Sequence, residues 1–162
     1  MTTVTKLFEF EACHHLPHYD GACHNIHGHS YKLEVTVSGQ VSKNENDPKC
    51  GMIIDFKDLK AIVKSVAVDK YDHSNLNEFF PNPTAEIMVK QIAVDIMSKL
   101  PQGVYLMSCK LWETSTSYAE WTVSLDVLRD IITETAQSGS QPVLAPWTQE
   151  VVIVYYDEVF CS

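Results

Sequence analysis

The stretch CHNIHGHSYKLEVTVSG, residues 23–39, decides how the rest of the chain is read. From His27 onward it alternates. His27, His29, Tyr31, Leu33, Val35 and Val37 share one parity, while Gly28, Ser30, Lys32, Glu34, Thr36 and Ser38 take the other. A period of two predicts a β-strand with a single apolar face. Two histidines ride on that face, where an imidazole without a partner costs free energy. They are either satisfied core histidines or metal ligands. A metal is favoured, because H-x-H on a strand aims two ring nitrogens at one point and imidazole suits zinc.

Upstream, TKLFEFEACHH, residues 5–15, places Phe8, Phe10, Ala12 and His14 on one parity. Leu7, Glu9, Glu11, Cys13 and His15 take the other, so a second strand with its apolar face on the even positions is expected. If this strand pairs with 27–38, His14 is the histidine able to join His27 and His29. The connection between them holds Pro17, Asp20 and Gly21 and reads as a loop, with His18 and His24 exposed on it.

Downstream of Gly39 a polar, turn-rich segment leads to GMIIDF. Asp55 reads as an N-cap for a helix ending near Val68, with the stripe Phe56, Leu59, Ile62, Val63 and Val66. The irregular segment DKYDHSNLNEFFPNP follows. Thr84 then caps a helix over 85–100, with Glu86 in its first turn and Met88, Ile92, Ile96 and Leu100 facing the core. Residues 104–114 and 118–125 read as two further strands. The expected architecture is α+β in the order ββααββ: a four-stranded antiparallel sheet with two helices on one face. Residues 1–125 form this domain, and 126–162 form an extension. Val127, Leu128, Ile131 and Ile132 suggest a short helix there, and EVVIVYYDEVF, residues 150–160, suggests a strand. Its apolar content predicts packing on the domain or on a neighbouring subunit.

Composition bounds the function. A chain of 162 residues can bury a core without staples. The net charge of −9 is uneven: residues 124–162 carry one basic and six acidic side chains, against 11 and 15 before them. Arg129 is the only arginine. No basic stripe exists, so nucleic acid is not an expected partner. No apolar run suits a bilayer, and MTTVTKLFEF lacks a signal leader, so a cytoplasmic protein without a membrane partner is expected. The five cysteines include no C-x-x-C pair and read as reduced thiols.

FEFEACHHLP, the three-residue gap between Cys23 and HGHSY, GMIIDFKDLK, YDHSNLN, NPTAE and WET occur together in this order. In this the chain resembles the 6-pyruvoyltetrahydropterin synthase / 6-carboxytetrahydropterin synthase family across about residues 7–123. The short Cys23–His27 gap is similar to that of the queuosine-pathway member. The resemblance implies a T-fold, whose subunits join sheets into a barrel and share active sites in a homo-oligomer. It implies Zn²⁺ held by His14, His27 and His29, with Cys23 as proton acceptor. His73, supported by Asp72, would handle a second proton, and Glu113 would grip the amino-pyrimidine edge of a pterin. The implied substrate is 7,8-dihydroneopterin triphosphate, cleaved to 6-carboxytetrahydropterin with loss of acetaldehyde and triphosphate. Lys6, Lys32, Lys70 and Lys110 are the expected sources of positive field for the phosphates. Three alternatives stand beside this: a 6-pyruvoyltetrahydropterin product, a non-catalytic zinc-binding T-fold protein, and a closed structural site with Cys23 as fourth ligand.

Overall fold

Both alternating stretches form strands. In the computed structural model, which describes residues 2–124, β1 spans Thr3–His14 and β2 spans His27–Gly39. They pair antiparallel from Thr3↔Ser38 through Phe10↔Tyr31 to His14↔His27. The even residues of β1 and the odd residues of β2 thus share one face. Phe8, Phe10, Tyr31, Leu33, Val35 and Val37 are buried on it, with Phe10 and Tyr31 stacked at 5.1 Å between ring centroids. Each such side chain, once fully buried, contributes about 1.5–3 kcal/mol of transfer free energy. A one-residue slip would turn all of them to solvent, so this register is strongly specified.

The helices begin where the caps predict. The Asp55 carboxylate accepts the Lys57 N–H at 2.7 Å and opens α1, Phe56–Val63. A widened π-type turn, Lys64–Val68, and the short α2, Asp69–Tyr71, continue the same rod beyond its expected end. Leu59, Val63 and Val66 are buried as expected. Phe56 departs from the expected stripe and is 49% exposed. It occupies the first helical position, with the Lys6 ammonium 5.6 Å over its ring. The Thr84 hydroxyl accepts the Ile87 N–H and caps α3, Ala85–Met97. This helix stops three residues short of expectation, and Leu100 packs half-buried beyond it.

Three further β-segments complete the sheet. β3, Ser74–Asn75, β4, Val104–Trp112, and β5, Tyr118–Thr122, join β1 and β2 in the order β3-β1-β2-β4-β5. The sheet therefore has five strands where four were expected. β3 is a two-residue parallel bridge, Ala12↔Ser74 and Cys13↔Asn75, too short to carry an alternation that a sequence could display. The remaining neighbours are antiparallel. The α1–α2 rod packs on β1, and α3 packs on β4 and β5. Both cover the apolar face, as the α+β reading required.

Two edges stay open among the described residues. From Thr3 to Glu11, β1 has no strand on the side away from β2, and β5 has none beyond it. No helix among the described residues is long and apolar enough to cross a membrane. The expected helix near Val127–Ile132, the strand over 150–160, Leu125 and Cys161 lie outside the described residues.

Candidate metal centre

His14 closes β1 and His27 opens β2, and the two are direct register partners. His29 sits two residues further along the same face, opposite Ala12. Parity and register together bring three imidazoles to one end of the sheet. Their ring centroids are 4.6 Å (His14–His27), 4.9 Å (His27–His29) and 5.1 Å (His14–His29) apart. One nitrogen from each lies within 4.8 Å of the others. Among the described residues no fourth histidine, cysteine or carboxylate belongs to this group.

The hydrogen bonds of the outer nitrogens fix the tautomers. His14 Nδ1 lies 2.8 Å from the Pro83 carbonyl, and His27 Nδ1 lies 2.8 Å from the Asn25 carbonyl. A carbonyl only accepts, so both Nδ1 atoms donate, and in the neutral ring each Nε2 keeps its lone pair. Metal-binding histidines are held in this same way by their second nitrogen. His14 Nε2 and His29 Nε2 are buried without a hydrogen-bond partner, so both nitrogens are open to a cation or a proton. Burial lowers the pKa of His14 and of His29 below the ordinary histidine value, which favours the neutral, ligating form. The donor set and its orphaned nitrogens fit a divalent ion with three protein ligands and room for a fourth from substrate or water.

Glu113 extends this arrangement. It follows β4, where its N–H donates to the Ser117 carbonyl and closes the turn into β5. One carboxylate oxygen stands 3.5 Å from His14 Nε2 and 3.9 Å from His29 Nε2. Facing a lone pair, a carboxylate is repelled unless a cation or proton lies between them. Glu113 therefore belongs to the rim of the same site, half-buried and beside Trp112. The Lys32 ammonium lies 5.7 Å over the Trp112 ring, whereas Lys70 and Lys110 pair with Asp95 and Glu120.

Cys23 and the Asp72–His73 pair are not in this cluster. Cys23 lies half-buried in the single 3₁₀ turn Ala22–His24, and its thiol is not one of the grouped donors. Asp72 and His73 follow α2. The Asp72 carboxylate accepts the Glu11 N–H at 2.9 Å and lies 3.0 Å from His73 Nδ1. The Glu11 N–H bond, helped by His73, holds the Asp72 carboxyl below the usual carboxylate range. His73 adopts φ 57°, a left-handed backbone uncommon outside glycine, and its N–H donates to the Glu11 carbonyl. Its ring is exposed beside an open groove of about 410 Å³ lined by Glu11, Ala12, Cys13, Gly28, His29, Ser30 and Ser74. Of these, Glu11, Cys13, Gly28 and Ser30 have the parity opposite to His14, His27 and His29. Within one chain, the dyad and the histidines occupy different faces of the sheet.

His18 and His24 are exposed, as expected for loop residues, and Cys109 is a buried free thiol. Sequence reading did not identify the Pro83 and Asn25 carbonyls, since a main-chain acceptor has no residue signature. Nor did it single out Asn77, which holds the backbone of His15 (below).

Residues 3–123 match the family described as 6-pyruvoyl tetrahydropterin synthase. A relative from Haemophilus influenzae named 6-carboxy-5,6,7,8-tetrahydropterin synthase is 34% identical over 141 residues, covering 75% of this chain and 99% of that protein. One from Synechocystis with the same name is 38% identical, covering 75% and 93%. A Pyrococcus furiosus relative named dihydroneopterin monophosphate aldolase is 40% identical over 88 residues, covering 54% of this chain and 70% of that one. Among solved structures, 6-pyruvoyl tetrahydropterin synthase of Caenorhabditis elegans is similar with a TM-score of 0.64 and 28% identity, covering 76% of this chain and 96% of that one.

Proposed function

The chain belongs to the 6-pyruvoyl tetrahydropterin synthase family, and we propose that within it this protein is a 6-carboxy-5,6,7,8-tetrahydropterin synthase. It is an enzyme with the family's T-fold. The proposed reaction takes 7,8-dihydroneopterin triphosphate and water to 6-carboxytetrahydropterin, acetaldehyde and triphosphate, a step toward queuosine. The observation that carries this reading is the convergence of His14, His27 and His29, with two of their nitrogens buried and unpartnered. These three would hold zinc, which when bound acts as a Lewis acid toward the side-chain hydroxyls and acidifies the neighbouring C–H.

The remaining roles belong to this chain's own groups. Cys23, four residues before His27, removes a proton from the substrate side chain as the general base. His73 carries the second proton, and Asp72 fixes its tautomer by accepting from Nδ1. Glu113 accepts two parallel N–H bonds from the pterin edge, and its place on the rim sets the pterin beside the ion. What supports a site shared between subunits is that the dyad lies on the sheet face away from the histidines. Two open sheet edges in each chain also suit a head-to-tail ring of copies. In such a ring the dyad of one chain serves the histidines of the next. We place residues 126–162 as an extension packed on this domain or on a neighbouring copy.

Incubation with dihydroneopterin triphosphate, with and without chelator, followed by mass spectrometry of every product, tests the proposal. Acetaldehyde with a carboxypterin is the expected, chelator-sensitive result. A pyruvoyl product would move the protein to the biopterin branch. No turnover in the presence of zinc would leave a non-catalytic zinc protein.

A further inference from the structure

We infer that Asn77 is a positioning residue for the metal centre, acting through the backbone of His15. The β1–β2 ladder ends at His14↔His27, so nothing in that pairing holds the chain immediately after His14. On the other side, the β3 bridge reaches only Cys13↔Asn75 before the chain turns into the 3₁₀ helix Leu76–Glu78. The Asn77 carboxamide continues what the strand no longer provides. Its Oδ1 accepts the His15 N–H at 2.9 Å, and its Nδ2 donates to the His15 carbonyl at 2.9 Å. This pattern requires a donor and an acceptor side by side on one planar group, which asparagine supplies. The orientation of the amide is fixed by its partners: the N–H of His15 can meet only oxygen, and its carbonyl only nitrogen.

The same connection grips His14 a second time. The Pro83 carbonyl accepts from the His14 ring six residues beyond Asn77, and His14 is only 1% exposed. The ligand is thus held by its ring through Pro83 and by its following peptide through Asn77. The Asn75 side chain caps the same 3₁₀ turn by accepting the Asn77 main-chain N–H at 3.2 Å, whereas the Asn77 carboxamide is held by His15 itself. Residues 72–83 therefore carry the Asp72–His73 dyad at one end and the outer support of the metal ligand at the other. Outer partners of this kind typically change metal affinity by about 10–100-fold.

This inference rests on the metal reading above, and cobalt tests the two separately. The full-length protein, Asn77→Asp, Asn77→Ser and Asn75→Ala are titrated with Co²⁺ alone against a competing chelator. Visible spectra at saturation and thermal unfolding without metal are recorded alongside. Asn77→Asp keeps the acceptor and loses the donor; Asn77→Ser loses the clamp at small volume. Both are expected to bind Co²⁺ about 10–100-fold more weakly and to shift its visible bands, whereas Asn75→Ala stays within about threefold. Spectra and affinity like those of the unaltered protein in either folded Asn77 variant would overturn the inference. So would an equal loss in Asn75→Ala, which would make the effect one of general loop stability. If the unaltered protein binds no Co²⁺, the metal reading falls and this inference with it.

Discussion

The two faces of one sheet end are built by different means. On the covered face, strand alternation and a direct cross-strand pair bring His14, His27 and His29 together, the first buried and the other two half-buried. On the opposite face, Asp72 and His73 stand exposed on a turn with a left-handed residue, tied to β1 through the Glu11 main chain and the adjoining β3 bridge. The first arrangement is complete within a chain. The second rests on main-chain bonds from a distant loop, which teaches that strand alternation alone can gather a donor cluster, whereas a dyad on a turn needs a contact made far along the chain.

The largest effect should come from the covered face. His14→Ala removes one of three ligands, and its metal affinity should fall by more than the roughly 100-fold of an outer-shell loss, taking turnover with it. Equilibrium dialysis with zinc checks this; retained stoichiometric metal would break the contrast between the faces. Next come Cys23→Ala and His73→Ala. Each should lower kcat by about 10²–10⁴-fold while metal content stays unchanged. Loss of zinc from Cys23→Ala would instead return Cys23 to the role of a fourth ligand.

Mixing sharpens the comparison further. If one chain's dyad serves another chain's histidines, co-refolded His14→Ala and His73→Ala chains should regain activity that neither has alone. With random assembly about one quarter of sites combine an intact triad with an intact dyad. Activity no higher than that of the separate variants would confine the whole site to one chain.

The smallest effect is the pH response of the metal-free fold. Burial depresses the pKa of His14 and His29, so the unfolded chain binds protons more readily than the folded one below about 6.5. Stability should therefore decline as pH falls through 6.5 toward the folded values, and added zinc should offset the decline. Asp72 on the exposed face is also depressed, but from the carboxylate range. Its contribution is present above about pH 4 and fades only as pH falls below that. Unfolding temperatures from pH 8 to pH 3 separate the two: a flat profile between 8 and 5 would count against neutral, buried histidines.

Much of this was legible in the residues themselves. Alternation placed Phe10, Tyr31 and the three histidines on one face, because side chains of a strand point the same way every second residue. Asp55 and Thr84 announced their helices, since their side chains satisfy local N–H groups and need no distant partner. The motif order pointed to the family before any geometry. What alternation could not show was β3, two residues long, or Phe56 left outside the core by its place at the helix start.

The sequence by itself determined which side chains share a face, because strand and helix periods are local properties of the backbone. Only the tertiary structure decided that Pro83 and Glu113 meet His14, that Asn77 meets the His15 backbone, and that His73 turns away from them. Those outcomes depend on register between segments some 60 to 100 residues apart, and on main-chain acceptors that every residue carries alike.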